Sequence, residues 1–277
     1  MDRLFLKKKI KEFLDEDIGY KDITTDNLSE DKILKGKIVA KSKGIVAGIP
    51  FAEEVFKTVD ESLKIKALKK DGDRIFKGDT ILEIEGSGKS ILKGERVALN
   101  ILQRLSGIST NTNQYVEKIK DLNTKILDTR KTTPGFRAFE KYGVKIGGGD
   151  NHRFALYDMV LIKDNHILLA GSIKKAVEDI KSKVSPMVKI EVEVSNLEQL
   201  KEALEVGVDV IMLDNMYPED MKRAVHIVAG KVPLEASGNV NLNNIREIAL
   251  TGVDYISIGA LIHSAKWLDM SLKVEEV

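Results

Sequence analysis

From about residue 124 onward, short apolar runs alternate with amphipathic helical stripes, one pair every roughly 20 to 25 residues. Few folds accommodate that rhythm. The runs are Lys125–Asp128, Met159–Ile162, Val188–Val194, Val208–Leu213, Val232–Glu235 and Asp254–Ile258. They read as buried strands, and the spacing between them suits parallel crossovers. Helix signals fill the later gaps. Ser172 precedes Ile173, Ala176, Val177 and Ile180, and Asn196 precedes Leu197, Leu200, Ala203 and Leu204. Pro218 opens a stripe that Gly230 stops, and Gly252 ends another. Six strands are evident, with a candidate seventh at Val144–Ile146, fewer than the ~8 of a closed barrel.

The first hundred residues have an α+β texture. Lys37–Lys41 and Gly44–Gly48 are strand candidates, and a helix is expected from near Pro50. Leu63, Ile65 and Ala67 alternate with lysines, and Asp71-Gly72 marks a turn before the strand Thr80–Ile84. Val97, Ile101 and Leu105 then begin a helix. At the N-terminus, Leu6, Ile10, Phe13 and Leu14 form a helical stripe rather than the apolar core of a signal peptide. No apolar run approaches the ~18 residues of a membrane span. A cytoplasmic location is expected.

Charge narrows the ligand. Lys+Arg number 44 against Asp+Glu 43, so no general basic face for nucleic acid is available, and an anionic ligand needs a local cluster. The chain has no cysteine, which excludes disulfides and thiolate metal sites.

The strand ends supply such a cluster. In parallel α/β folds and barrels, sites form where the strands end at their C-terminal edge. The first strand delivers Asp128, Thr129, Arg130 and Lys131, and the Gly147-Gly-Gly loop delivers His152 and Arg153. Further ends bring Lys163, then Glu191 and Glu193, then Asp214, then Glu235-Ala-Ser-Gly-Asn239, and last Gly259-Ala260. Glycines at Gly238 and Gly259 would let backbone amides approach a phosphate. Glu191 and Glu193 share one face of their strand. Inside a barrel they need a metal, a cation or a proton, and outside they carry no message. Arg130 and Arg153 could instead be structural partners of Asp128 and Asp150. The Gly147–Gly149 run lacks the order of a nucleotide-binding loop, and Asp164-Asn-His166 lacks the spacing of a helical zinc motif. Lys163 at a strand end is also where a Schiff-base aldolase would keep its lysine.

The strings DTRKTTPG (128–135), GGGDNHR (147–153), LIKDNH (161–166), EVEV (191–194), LDN (213–215) and TGVDYISIGALIHS resemble the quinolinate phosphoribosyltransferase family. Glu16–Thr25 and Gly94–Asn100 extend the likeness to nearly the whole chain. The resemblance implies an α/β protein: a C-terminal incomplete (seven-stranded) β/α barrel preceded by an N-terminal α/β sandwich domain. We set the domains at 1–110 and 111–277, with a last helix that could pack back on the first. It implies transfer of phosphoribose from phosphoribosyl pyrophosphate (PRPP) to quinolinate with decarboxylation, using Mg2+.

Residue roles follow from the same likeness. Quinolinate would meet Arg130, His152, Arg153 and Lys163, plus Arg96 from the second subunit of a homodimer. PRPP would meet Thr129, Lys131, Ser237, Gly238, Asn239, Gly259 and Ala260. Glu193 and Asp214 would serve the metal and, with Lys163, catalysis. Asn239 stands where many relatives have a second glycine. A related family associated with molybdate transport shares much of this pattern, so a different base is the main alternative.

Overall fold

The computed structural model describes residues 2–277, which form two compact units. The first comprises the chain up to Asn113 together with Thr133–Gly148 and Ala265–Val277. Its four-stranded antiparallel sheet runs in the order Met270–Glu276, Ile33–Ala40, Thr80–Ser87, Lys64–Ala67. The expected last helix is therefore an edge strand. Its Met270, Leu272 and Val274 alternate with Ser271, Lys273 and Glu275, a period of two. Glu275 and Glu276 pair with Lys37 and Lys32 on the neighbouring strand.

Val144–Ile146, the candidate seventh strand, closes a helix at Arg137–Ile146. Phe139, Glu140, Gly143 and Val144 recur at helical spacing and are buried. A short apolar triplet has no period of its own, so its neighbours decide. Phe139 packs against Phe13, Phe51 and Phe136 at ring-centroid distances of 4.8 to 5.5 Å. Gly143 lets this helix approach Gly88–Ile119 closely: an added Cβ would lie 3.2 Å from Ile108.

Glu140 holds that segment in place. Its side chain is fully buried and accepts from Arg104 Nη2 at 2.6 Å, Thr133 N at 2.8 Å and Thr133 Oγ1 at 2.9 Å. Removing Arg104 would strand a buried carboxylate. Arg104→Ala should therefore destabilise the fold by about 3–5 kcal/mol, measured by urea unfolding.

The second unit comprises Gln114–Thr132 and Gly149–Ser264. Its six strands are all parallel, in the order Lys125–Leu127, Tyr255–Ser257, Leu234–Ser237, Val210–Asp214, Ile190–Val194, Val160–Ile162. The place of a seventh strand is held by one residue, Asp150, bridged in parallel to Leu127. The glycines before it and the Asn-His-Arg after it prevent a longer pairing. The helices start as their caps dictate: Ser172 Oγ accepts from Lys175 N, and Asn196 Oδ1 from Gln199 N. Among the described residues, no helix is long and apolar enough to cross a membrane.

Candidate active site

Strand register selects which side chains face inward. Leu161 lies beside Glu191, Glu193 beside Met212, Met212 beside Glu235, and Asp214 beside Ser237. Period two then turns Lys163, Glu193, Asp214 and Ser237 to the same side, at the C-terminal ends. Residues from all six strand ends line one cleft of about 850 Å³, so the sheet curls around it.

The cleft has three sectors, read around the strand order. Lys163, Arg153, Arg130 and Lys131 form a cationic arc that spans the open side of the sheet. Gly259 and Ser237–Asn239 come next, and Asp214 and Glu193 complete the ring. Every residue given a substrate, metal or catalytic role from the sequence lines this cleft except Arg96, whereas Asp128, Glu191 and Glu235 lie buried behind it. Arg96 is an exposed residue of the helix Gly88–Ile119 in the first unit.

The cationic arc is rigidly seated. Asp128 is fully buried and accepts from Asn151 Nδ2 at 2.6 Å and His152 N at 2.9 Å, so it anchors the His152-Arg153 loop. Arg153 is 8% exposed and donates through Nη1 to the Met159 carbonyl at 3.0 Å. Burial, and next the Arg130 cation, pull its pKa below the usual arginine value. Lys163 pairs with Glu193 at 2.9 Å. His166 Nδ1 accepts from Lys163 N at 2.9 Å and caps the helix Asp164–Ala170, which accounts for the histidine of the Lys-Asp-Asn-His string.

His152 also has partners behind the cleft. Its ring borders the cleft, yet Nδ1 accepts from Arg153 N at 2.6 Å and Nε2 turns inward to Glu191 and Glu235. Those two carboxylates lie inside the sheet, one inward position before Glu193 and Ser237, and each is 1% exposed. Sequence reasoning left the face of Glu191 open and placed Glu235 at the rim. Only the register brings the pair together. Burial, and then the neighbouring Glu191 charge, push Glu235 up to about 8, with His152 pulling the other way.

Unfolded Glu235 titrates near 4.5, so its contribution to stability is fully present below that pH and is lost as pH rises through about 8. The melting temperature should fall between pH 5 and 8.5. Glu235→Gln should flatten that slope in a thermal-denaturation series.

The glycine sector is interlocked. Asn215 and Asn239 adopt left-handed backbone at φ 53° and 52°, beside Gly238 at 97°. Asn239 Nδ2 donates to Asn215 Oδ1 at 3.1 Å, and Asn215 Nδ2 to Asp214 Oδ2 at 2.7 Å. The left-handed φ explains why glycine suits position 239 and asparagine is tolerated. The Asn239 amide is turned to Asn215 rather than to the cleft. Asn215, a structural part of this loop, carried no signal beyond the LDN string. Gly259 makes room for Lys131, whose Cδ would lie 2.9 Å from an added Cβ.

Glu193 and Asp214 can also hold a divalent cation. Each spends one contact on a neighbour and keeps an oxygen towards the cleft, and Mg2+ needs only one or two carboxylates when substrate phosphates and water complete its shell.

The chain is similar to known proteins along nearly its whole length. Residues 22–106 match the N-terminal domain, and residues 108–273 the C-terminal domain, of quinolinate phosphoribosyl transferase. The chain is 46% identical over 274 residues to a probable nicotinate-nucleotide pyrophosphorylase [carboxylating] of Bacillus subtilis, covering 99% of this chain and 95% of that protein. It superimposes on NadC from Streptococcus pyogenes with a TM-score of 0.95 and 41% identity, covering 100% and 99% of the two chains. The nicotinate-nucleotide pyrophosphorylase of Francisella tularensis gives a TM-score of 0.94 at 44% identity over 99% and 98%. The chain belongs to the quinolinate phosphoribosyltransferase family.

Proposed function

We propose that this enzyme transfers phosphoribose from PRPP to quinolinate and releases pyrophosphate and carbon dioxide, forming nicotinate mononucleotide. The observation that carries the reading is the three-sector ring of the cleft. A dicarboxylate suits the cationic arc, because guanidinium forks bind carboxylates bidentately. Arg130, Arg153 and Lys163 would hold quinolinate. The 5′-phosphate of PRPP suits the amides and hydroxyl of Ser237, Gly238, Asn239, Gly259 and Ala260. Thr129 and Lys131, next to Gly259, would receive the pyrophosphate.

The ring order leaves the ribose beside Glu193 and Asp214. Mg2+, held there and by the pyrophosphate, would neutralise the leaving group. When the pyridine nitrogen displaces pyrophosphate from C1′, positive charge grows on the ribose, and the two carboxylates offset it. The ribosylated ring nitrogen is cationic and stabilises the carbanion left at C2 as the 2-carboxylate departs as carbon dioxide, and a proton from solvent then adds at C2. The substrate supplies its own charge stabilisation. Positioning by the chain's charges does the rest.

We further infer a homodimer in which Arg96 of one subunit completes the cationic arc of the other. Exposed apolar residues support it: the helix Asp164–Ala170 buries none of its residues, and Leu168 and Leu169 are 81% and 88% exposed. Sedimentation should give about twice 30.8 kDa. A cytoplasmic location belongs to the same reading.

Titration calorimetry tests the substrate. Quinolinate should bind in the low-millimolar range or tighter, and no binding would refute the transferase reading. A base other than quinolinate, as in the molybdate-associated relatives, would show as selective binding of that base. The aldolase alternative requires a lysine activated by desolvation or a cationic neighbour. Lys163 instead sits half-exposed in an ion pair with Glu193. Borohydride with a carbonyl substrate should leave Lys163 unmodified.

A further inference from the structure

Glu191 and Glu235 present an energetic problem that the reaction chemistry above leaves unsolved. Two carboxylates lie side by side inside the sheet, each 1% exposed. Apart from the Glu235 carboxyl group, neither oxygen of Glu191 has a hydrogen-bond partner. Apolar residues of the same size would be cheaper there, since a buried ion must recover its lost hydration from neighbours. What the pair touches indicates its use. His152 Nε2 lies 3.1 Å from Glu191 and 3.5 Å from Glu235, close polar contacts without hydrogen-bond alignment to Glu191. The other ring nitrogen accepts from the Arg153 backbone, so the imidazole is a strut between the carboxylates and Arg153.

Arg153 also needs a counter-charge. Its guanidinium is buried next to the Arg130 cation, and both effects oppose its charge, while Glu191 first and then Asp158 favour it. Two guanidiniums brought together for a dicarboxylate repel until the ligand arrives. A carboxylate in the cleft would relieve that repulsion but would compete with the ligand. Glu191 lies below the cleft lining, where it relieves the repulsion without occupying the ligand's place.

We propose that Glu191 and Glu235 are positioning residues for the quinolinate subsite: a buried pair of carboxyl groups, with Glu191 as the counter-charge that offsets the Arg130–Arg153 repulsion, which through His152 holds the Arg153 backbone in place. The inference rests on the transferase reading and deepens it. It assigns to His152 a task behind the ligand, and gives the inward face of the Glu-Val-Glu-Val strand two separate duties, Glu191 for the base and Glu193 for the ribose.

Glu191→Gln and Glu235→Gln in the full-length enzyme test it, with both substrate KM values and the melting temperature as readouts. Glu191→Gln should raise the quinolinate KM roughly ten- to a hundredfold, the scale reached when a carboxylate that orients a metal ligand is removed. The PRPP KM should stay within about twofold, and the melting temperature should not fall, because a buried charge has been removed. Glu235→Gln should act in the same direction more weakly. An unchanged quinolinate KM in an active Glu191→Gln enzyme overturns the inference alone. So does a joint rise of both KM values with a lowered melting temperature, the mark of a merely structural role. A wild-type chain that makes no product refutes the transferase reading, and this inference with it.

Discussion

Arg96→Ala should fold and melt like the wild-type protein yet lose roughly a hundred- to a thousandfold in kcat/KM, the scale of removing one fixed charge-stabilising group. The side chain is exposed and no part of the core, so its loss leaves packing intact. Lys163→Ala should be similarly inactive, for a different reason: it removes a cation from within the cleft. Co-expression separates shared sites from self-contained ones. A dimer of one Arg96→Ala and one Lys163→Ala subunit has one site with both residues intact, if Arg96 acts across the interface. Random pairing makes half the dimers mixed, each with one working site of two, so about a quarter of wild-type activity should return. If Arg96 served its own subunit, both sites of the mixed dimer would lack one residue, and nothing would return.

Gly238→Ala should disable the opposite side of the cleft. Gly238 sits at φ 97°, and an added Cβ would lie 2.2 Å from Asn215 Oδ1 and 3.0 Å from Asn215 N. Asn215 cannot step aside cheaply. Its N–H donates to the Ser237 carbonyl at 2.9 Å, and its side chain holds Asn239 and Asp214. The methyl group must push the whole loop away from its amide-presenting geometry. We expect the PRPP KM to rise roughly a hundredfold while quinolinate affinity changes less than about threefold, with about 1–2 kcal/mol lost in stability. Equal losses for both substrates would mean that the glycine loop and the cationic arc are not separate subsites.

The contrast between those two substitutions reflects how differently their sites are written in the chain. The barrel was legible because its strands are short apolar runs ending in charge, and period two alone carries Lys163, Glu193 and Asp214 to one side. Gly238 and Gly259 were legible because close approach requires glycine. The helix Arg137–Ile146 and the edge strand Met270–Glu276 were missed where a local pattern was too short or too terminal to compete with expectation. Tertiary register was invisible. It alone decides that Glu191 and Glu235 converge on His152, and that His152 turns inward. Arg96 lay further out of reach, since composition and spacing within one chain say nothing of what a second copy contributes.

The central claim is that this cleft joins quinolinate to phosphoribose and decarboxylates the product. The purified chain, incubated with quinolinate, PRPP and Mg2+, should yield nicotinate mononucleotide, pyrophosphate and carbon dioxide in equal amounts, with nicotinate a poor substitute for quinolinate because it offers the cationic arc one carboxylate. No mononucleotide, or equal turnover of nicotinate with no carbon dioxide released, would contradict it.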